Sequence, residues 1–440
     1  MQARPTDTLP AILPGTLAEV AVRPGDADYD AARTTFAGTG SPGVVLRPRT
    51  AAEVADALRF ATDHGLPVAV RGGGHHALNF ANVDDGAVLD LVHLDAVEHL
   101  GDGRVRVGAG ATWGHAADAL AVHGLAVTSG DTRSVGVGGL TQAGGIGWML
   151  RRFGLTIDSV LAAEVVTAAG DVVQASATEH PDLFWGLRGG AGNFGVVTAF
   201  ELQAQPVTTI RFGTIRFPAD DVPRLVHAWA AAMRSAPDAL TTVLTLMPAF
   251  GPGPAVAMLT VADCGDDPTA LDELRALGTP LADDVTERPY ASVLEEPRVP
   301  QGIVPVGSGT FVRQVDDGLV SAIADAYARG GRVVGLRSLG GAFGRVPADA
   351  TAFAHRDAEA LVVSAAFLPV GATADQVAGA QAVWRTIADQ GSGAYAGFLG
   401  TASETDLAAL WPEPTRRRLA EVKRAWDPEN VFRRNFNVAP

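Results

Sequence analysis

The chain carries the stretch Arg71-Gly72-Gly73-Gly74-His75-His76 directly after the apolar run Leu66-Pro67-Val68-Ala69-Val70. Three consecutive glycines remove every side chain from a turn, so the backbone N–H groups can approach an anionic phosphate closely. The histidine that follows brings a nucleophilic imidazole beside whatever the phosphates carry. The combination indicates a nucleotide cofactor held by its pyrophosphate, and His75 is a candidate for covalent attachment to it.

The bulk composition indicates a globular protein with more than one domain. The chain has 440 residues, too many for a single hydrophobic core, so two or three domains are expected. Hydrophobic residues make up 47% and charged residues 19%, as in folded proteins. The formal net charge of −15 argues against a nucleic-acid partner, because nucleic-acid phosphates require a basic surface.

We expect neither a disulfide framework nor a membrane span. Cys264 is the one cysteine, which excludes an internal disulfide and a cysteine-based metal cluster. The chain also lacks an H-E-x-x-H metal motif. No uncharged stretch approaches the ~20 apolar residues that a span requires, and residues 1–20 lack an apolar signal core. The sequence therefore predicts no metal, no membrane partner and, by default, a cytoplasmic location.

Residues 42–205 alternate short β-rich runs with helices and glycine turns. Residues 51–60 are amphipathic, with Thr50 as a predicted N-cap and Glu53 at the third helical position. Apolar runs on both sides, residues 44–46 and 68–70, complete a predicted βαβ unit. Further predicted elements are strands at 87–91 and 104–107 and a helix at 112–122.

Beyond Pro206 the pattern changes to that of an antiparallel sheet. Residues 241–246 and 255–261 alternate as strands do, and amphipathic helices are predicted at 223–235 and 318–329. This part of the chain, residues 207–414, is a candidate second domain. Residues 415–440 carry a motif of their own and are predicted to return to the first domain.

Two further segments are rich in glycine. Residues 190–195 fit G-x-G-x-x-G literally, but residues 196–202 after them read as a strand, whereas the dinucleotide fingerprint requires a helix there. The second segment, residues 129–147, contains so many glycines that neither a helix nor a sheet would gain from them, since each costs roughly 0.5–1 kcal/mol relative to alanine. Such a loop is tolerable where the backbone must approach a flat ring closely.

Five segments together resemble a known family. They are residues 71–76, 129–147, 181–198, 340–356 and 427–437. In this order and spacing they are similar to motifs of the FAD-linked oxidases with a p-cresol methylhydroxylase/vanillyl-alcohol oxidase-type FAD domain, in the berberine bridge enzyme-like and 6-hydroxy-D-nicotine oxidase branch. The resemblance runs from about residue 42 to residue 437, nearly the whole chain.

The resemblance implies an α+β fold. A two-lobed FAD-binding domain would comprise residues 1–206 and the returning segment 415–440. A substrate domain at 207–414, with an antiparallel sheet backed by helices, would cover the reactive face of the flavin.

The cofactor that the resemblance implies is FAD, attached through one covalent bond to His75. Thr132 stands where some members carry a cysteine that forms a second bond, so a second link is excluded. The alternative is that both histidines are ordinary polar loop residues around a non-covalently bound flavin. The positions that match flavin-contacting motifs are Arg71, Gly72, Gly73, Gly74, His75, His76, Ser129, Gly130, Thr132, Val135, Gly136, Gly138, Gly139, Gly144, Gly145, Gly147, Gly195, Val197, Asn435 and Asn437.

Three candidate catalytic residues emerge from the same resemblance: Tyr395, Asn437 and His355. Relatives often use a tyrosine near the flavin to take a substrate proton, and Tyr395 lies where they carry a Tyr-x-Asn segment, although glycine replaces the asparagine here. Phe436 stands where several relatives have a tyrosine, and it cannot act as an acid or base. His355 is either a base near neutral pH or a buried structural histidine.

The activity that the resemblance implies is that of an FAD-dependent oxidase. It would remove a hydride from a small organic substrate and reduce O2 to H2O2. One alternative is a flavin-dependent oxygenase or oxidative cyclase in natural-product biosynthesis. The other is a non-catalytic flavin-binding protein. The sequence indicates neither the substrate nor the oligomeric state.

Overall fold

The computed structural model describes residue 13 and residues 15–249, 253–296 and 302–440. The expectation about residues 1–20 therefore falls mostly on residues outside the described ranges. The helices, in chain order, are α1 (Gly15–Ala18), α2 (Tyr29–Ala32), α3 (Ala51–Asp63), α4 (Trp113–Ala121), α5 (Val137–Ala143), α6 (Leu150–Phe153), α7 (Pro181–Leu187), α8 (Val222–Ser235), α9 (Asp272–Arg275), α10 (Asp317–Ala328), α11 (Ala342–Arg345), α12 (Ala374–Ala388), α13 (Glu404–Leu410) and α14 (Glu413–Trp426). The strands are β1 (Ala21–Val22), β2 (Thr34–Thr35), β3 (Gly38–Thr39), β4 (Val44–Leu46), β5 (Val68–Arg71), β6 (Ala87–Asp90), β7 (Val97–Gly101), β8 (Arg104–Gly108), β9 (Val160–Val166), β10 (Val172–Ser176), β11 (Val196–Gln203), β12 (Thr209–Pro218), β13 (Leu240–Met247), β14 (Val256–Asp263), β15 (Ala282–Asp283), β16 (Thr286–Pro289), β17 (Ile303–Val312), β18 (Arg332–Ser338) and β19 (Ala360–Pro369).

The first sheet has the order β1-β4-β6-β5, with β4, β6 and β5 parallel. Helix α3 connects β4 to β5, as predicted, but β6 lies between these two strands. Thr50 caps α3 by accepting a hydrogen bond from the N–H of Glu53 at 3.1 Å. The carboxylate of Glu53 accepts from the N–H of Arg49 at 2.7 Å. The glycine loop at residues 72–74 leaves the carboxyl end of β5.

The second sheet has the order β10-β9-β11-β8-β7 and is antiparallel. Strand β11 follows the G-x-G-x-x-G segment, so a strand stands where the dinucleotide fingerprint requires a helix, as predicted. Helix α4 lies beside this sheet, and its predicted apolar face (Trp113, Ala116 and Leu120) is buried.

The third sheet has the order β15-β12-β14-β13-β18-β19-β17, with β16 also paired to β12. All of these pairings are antiparallel. Helices α8, α10 and α12 pack on it, and Trp229 and Ile323 bury their side chains against its apolar face. The predicted antiparallel sheet backed by helices is therefore confirmed.

The C-terminal segment after α14 is held by a buried lysine. The ammonium of Lys423, at 0% exposure, donates to Asp427 at 2.7 Å, to Asn193 O at 2.8 Å and to Phe432 O at 2.9 Å. Asn193 also donates to Phe436 O at 2.9 Å. These bonds fix residues 427–438 against the loop that precedes β11.

The apolar core has two main parts. The larger packs residues of the first two sheets together with α14 and the C-terminal segment, and the smaller packs the third sheet against its helices. The domain boundaries at residues 206 and 414 remain predictions. Among the described residues, no helix combines the length and the apolar character that crossing a membrane requires.

Candidate active site

A cavity of about 470 Å³ lies where the glycine loops meet the C-terminal segment. It is bordered by the ends of β5 and β11, by the start of α5 and by residues 395–398 and 432–436. The predicted site residues that line it are Gly72, Gly73, Gly74, His75, His76, Gly130, Thr132, Val135, Gly136, Gly138, Gly139, Gly195, Val197, Tyr395 and Asn435.

Two of the glycine loops touch each other backbone to backbone. A Cβ atom at Gly73 would lie 2.3 Å from the nitrogen of Gly136, and one at Gly136 would lie 2.2 Å from the nitrogen of Gly73. Gly74 adopts φ +66°, which favours glycine. Any side chain at positions 73 and 136 would therefore force the two walls of the cavity apart.

Helix α5 contains Gly138 and Gly139, although their glycine-rich segment was predicted to favour no helix. A Cβ atom at Gly138 would lie 2.9 Å from the carbonyl oxygen of Ala109, so the glycine allows the helix to pack against the second sheet. A Cβ atom at Gly139 would meet nothing within 4 Å, and this residue faces the cavity. Gly138 therefore allows the helix to pack closely, and Gly139 leaves open space on the side of the helix that faces the cavity.

The cavity walls offer unused hydrogen-bonding groups. Gln142 and Asn435 line it, and Oε1 of Gln142 and Oδ1 of Asn435 are buried without a partner among the described residues. Within the same ranges, no carbonyl or side chain accepts from the N–H groups of Gly73, Gly74 or His75. Buried polar groups in folded proteins are almost always satisfied, so these groups indicate a bound polar molecule. An aromatic ring system can lie against the glycine-lined wall, and its polar edge can bond to the free oxygens. A phosphate chain can accept from the free N–H groups.

The imidazole of His75 borders the cavity and is held from one side. Its Nε2 lies 2.6 Å from Oγ of Ser134, and Ser134 donates to Oε2 of Glu296 at 2.7 Å. The ring stacks on Phe36, with 4.5 Å between ring centroids. Burial lowers the pKa of His75, so the imidazole is neutral at neutral pH. No described residue hydrogen-bonds to Nδ1 of this ring.

Both nitrogens of His76 are occupied. Nε2 lies 2.9 Å from the carbonyl oxygen of Ala396, to which it must donate, and Nδ1 accepts from the N–H of Leu78 at 3.1 Å. The ring also stacks on Phe80 and meets the edge of Phe436. Of the two adjacent histidines, His75 alone has a nitrogen free for a bond to a ligand.

Comparison with known proteins agrees with this geometry. Residues 42–176 match the model of an FAD binding domain, and residues 416–439 match the model described as berberine and berberine like. The chain is 30% identical over 466 residues to (R)-6-hydroxynicotine oxidase of Paenarthrobacter nicotinovorans, covering 95% of this chain and 96% of that protein. The chain belongs to the berberine bridge enzyme-like and 6-hydroxynicotine oxidase family. It is an FAD-dependent oxidoreductase.

Solved structures of this family share the fold. The crystal structure of 6-hydroxy-D-nicotine oxidase from Arthrobacter nicotinovorans matches with a TM-score of 0.86 at 27% identity, over 96% of this chain and 97% of that one. Glucooligosaccharide oxidase from Acremonium strictum, which carries a 6-S-cysteinyl, 8α-N1-histidyl FAD, matches with a TM-score of 0.84 at 23% identity, over 96% and 98%. The predicted α+β fold and family are confirmed.

Tyr395 lines the cavity and is buried. Its hydroxyl accepts a hydrogen bond from the N–H of Gly145 at 3.2 Å, and its ring meets the edge of Phe398. Burial raises the pKa of Tyr395 to about 12. The phenol therefore keeps its proton throughout the neutral range.

His355 and Asn437 do not border the cavity. His355 is buried, donates from Nε2 to Leu410 O at 2.9 Å and stacks on Phe311, and burial lowers its pKa. These contacts favour the structural alternative for His355. Oδ1 of Asn437 is buried without a partner among the described residues. Their catalytic roles, like that of Tyr395, remain predictions.

Besides Asn437, five residues predicted to contact the flavin do not line the cavity. Arg71 donates to the carbonyls of Ala32 and Ala81 and lies 3.6 Å from Asp90. Arg71 therefore anchors the end of β5 to the neighbouring segments that contain Ala32, Ala81 and Asp90.

The other four support the wall near Tyr395. Ser129 is hydrogen-bonded to the hydroxyl of Tyr290 at 3.3 Å, and a Cβ atom at Gly147 would lie 1.6 Å from the Ser129 carbonyl oxygen. Gly144 adopts φ +131°, and Gly145 donates to Tyr395. Their contacts with flavin remain predictions.

Sequence reasoning missed several residues at this site. Phe36 lines the cavity outside every recognised motif, and Gln142 lies within the segment 129–147 but was not among the residues predicted to contact the flavin. Ser134 lies inside the glycine-rich segment, but Glu296 is 162 residues away, and nothing in the sequence joins the two. Asp131 lines the cavity and pairs with Arg337 of β18, an ion pair that connects the third sheet to the cavity wall.

Proposed function

We propose that this protein is an FAD-dependent oxidase whose FAD is attached through one covalent bond to His75. Its substrate would be a small organic molecule that loses a hydride, and O2 would be reduced to H2O2. The observation that carries the proposal is that His75 borders the flavin cavity with Nδ1 free, whereas both nitrogens of His76 are engaged. The histidyl flavin of glucooligosaccharide oxidase supports the same attachment.

The residues that would hold the flavin follow from the unused groups. The free N–H groups of residues 73–75 suit the pyrophosphate, because backbone N–H groups in a tight turn bind anions. Gln142 and Asn435 offer buried oxygens for N–H groups on the polar edge of the ring. Gly139, whose Cβ position meets no protein atom within 4 Å, leaves room for the ring to lie against the backbone.

Bound flavin supplies two-electron chemistry, taking a hydride from a C–H bond and passing the electrons on to dioxygen. Tyr395 would orient the substrate by donating its hydroxyl proton, since a phenol with a pKa of about 12 is a poor base at neutral pH. Asp131 and Arg337 neutralise each other beside the cavity, so they add no net charge to the substrate side. The apolar rings of Phe36 and Phe398 limit access of water.

Acid precipitation tests the covalent bond. We expect yellow precipitate from the wild type, colourless precipitate with yellow supernatant from His75→Ala, and yellow precipitate from the control His76→Gln. A colourless wild-type precipitate would contradict the covalent bond. An unchanged yellow precipitate from His75→Ala would contradict the assignment to His75.

Reoxidation tests the oxidase activity. Protein reduced without oxygen by a substrate found in a screen of amines, alcohols and sugars is mixed with air-saturated buffer. We expect rapid return of the flavin absorbance and one H2O2 per product. Slow reoxidation would overturn the oxidase proposal, and incorporation of oxygen into product without stoichiometric peroxide would indicate an oxygenase instead.

A further inference from the structure

Three side chains form a continuous hydrogen-bonded chain that ends at His75. Nε2 of His75 lies 2.6 Å from Oγ of Ser134, and Oγ of Ser134 lies 2.7 Å from Oε2 of Glu296. Ser134 comes from the segment before α5, and Glu296 comes from the segment that follows β16. Two parts of the chain that are far apart in sequence therefore meet at this histidine.

The proton positions in this chain follow from the chemistry of its members. An ionised carboxylate has no proton, so Glu296 must accept from the hydroxyl of Ser134. A hydroxyl has one proton, so Ser134 must then accept from His75. Nε2 therefore carries the ring proton, and the lone pair of the neutral imidazole lies on Nδ1.

Several contacts fix the segment that carries Glu296. The hydroxyl of Tyr290 is hydrogen-bonded to Ser129 at 3.3 Å. Arg133 donates to Ala291 O at 2.9 Å, and the N–H of Glu295 donates to Asp131 O at 3.0 Å. These bonds hold residues 290–295, which directly precede Glu296, against residues 129–133, which directly precede Ser134, so they bring the exposed carboxylate of Glu296 to the Ser134 hydroxyl.

We propose that Ser134 and Glu296 are positioning residues for flavin attachment, which hold His75 with its proton on Nε2 and its Nδ1 lone pair available to C8α of the flavin. The inference rests on the proposed covalent bond and adds the residues that promote it. Burial lowers the pKa of His75 and the nearby Glu296 carboxylate raises it, with burial the larger effect, so the attacking ring is neutral.

The attachment step balances as follows. His75 forms the Nδ1–C8α bond, a C8α–H bond breaks with its proton passing to solvent, and the ring system gains two electrons. The imidazole sheds its Nε2 proton to Ser134 as Ser134 passes its own proton to Glu296, which returns it to solvent. Dioxygen then takes the two electrons and two protons as H2O2. The net change joins His75 and FAD with loss of one hydrogen from each, and O2 is the oxidant.

The test follows attachment rather than turnover. Protein produced under riboflavin limitation is incubated with FAD in air, and acid-precipitable flavin is measured over time by absorbance and intact mass. We expect Ser134→Ala and Glu296→Gln to slow attachment by about 100-fold or more, since a positioned proton-transfer group contributes roughly 10²–10⁴-fold. Ser134→Thr, which keeps the hydroxyl, should retain most of the attachment rate. Glu295→Gln is the matched control: it makes the same chemical change at the preceding residue, which does not contact Ser134, and should leave the rate unchanged.

Absorbance before acid treatment separates attachment from binding. Variants that bind FAD fully but attach it slowly support the inference. Attachment at the wild-type rate in both Ser134→Ala and Glu296→Gln overturns it and leaves the covalent bond to His75 standing. Absence of acid-stable flavin in the wild type overturns the covalent bond itself. Should Ser134→Ala fail to fold, Glu296→Gln decides alone, because Glu296 is exposed and its substitution leaves the core unchanged.

Discussion

His75 and His76 are neighbours in the chain, yet their hydrogen-bond partners give them different chemistry. His76 is bonded at both nitrogens, to a backbone carbonyl and a backbone N–H, and is fixed as part of the wall. His75 is hydrogen-bonded at one nitrogen, to the hydroxyl of Ser134, which donates its own proton to Glu296. The sequence motif identifies the loop but not which of its two histidines can react. The hydrogen bonds distinguish them, because His75 keeps one ring nitrogen without a partner among the described residues and His76 does not.

Substitution of Tyr395 separates orientation from proton removal. We expect Tyr395→Phe to keep both limbs of the wild-type pH profile of kcat/KM between pH 6 and 9, because the phenol stays protonated there. Loss of the bond from Gly145 should lower the free energy of unfolding by about 1 kcal/mol. Tyr327→Phe, which removes a hydrogen bond to Met247 O far from the flavin, is the matched control. If the acidic limb, in which kcat/KM rises with pH, disappeared only in Tyr395→Phe, this tyrosine would be identified as the base.

At the scale of elements, α3 and α5 show how far local sequence leads. The start of α3 could be predicted because its cap, Thr50, and the N–H that it accepts lie three residues apart. Helix α5 was missed because helix propensity penalises Gly138 and Gly139. Gly138 is favoured because it lets the helix approach Ala109, and Gly139 because it leaves space at the cavity. Neither contact can be read from the local sequence pattern.

Two helical glycines provide a prediction about cavity space. Gly139→Ala should raise the stability of flavin-free protein by up to about 1 kcal/mol, the helix preference for alanine, because its Cβ meets no protein atom. The same methyl group would occupy the flavin cavity, so bound flavin should fall. Gly379→Ala in α12, which also meets nothing within 4 Å, should be stabilised similarly and keep its flavin. Equal flavin content in the two variants, measured by absorbance, would show that Gly139 does not face the flavin.

The anchor of the C-terminal segment yields a larger effect. Lys423→Met removes the counter-ion of the buried Asp427 carboxylate and the donor to Asn193 O, and it leaves Phe432 O with the bond from Asn435 only. Breaking a buried ion pair in this way costs about 3–5 kcal/mol. Urea unfolding should show this decrease in the free energy of unfolding. The variant should also retain less flavin, because Phe432, Arg434, Asn435 and Phe436 line the cavity. Arg424→Met, the adjacent exposed position, should change the free energy of unfolding little.

For the whole molecule, the family and the general fold could be predicted from the sequence, and the spatial partners could not. The five motifs occur in family order along the chain, so recognition needed no contacts. The position of β6 between β4 and β5, the bond from Ser134 to Glu296 and the anchor at Lys423 depend on long-range packing. Residues such as Arg71 satisfy the motif yet support the cavity from behind.

Two buried tyrosines predict the alkaline limit of stability. The pKa values of Tyr290 and Tyr395 are both raised to about 12 by burial. Above pH 10 the unfolded chain releases these protons and the folded protein retains them, so stability is full below pH 10 and falls as pH rises toward 12. Each residue should remove about 2–3 kcal/mol over that interval.

Chemical denaturation at pH 8, 10 and 11.5 measures this loss. The double variant Tyr290→Phe/Tyr395→Phe should show a shallower decline than the wild type. Parallel declines in the two proteins would assign the alkaline loss to other groups.

Lys423 is the only lysine in the 440 residues, and its side chain is fully enclosed. Amine-reactive labels should therefore modify the native protein at its α-amino group alone. A second label, located by mass spectrometry at residue 423, would mark the moment at which the C-terminal segment detaches. The chain thus contains a built-in reporter for local opening, and immobilisation through lysine would capture only molecules that have already lost this anchor.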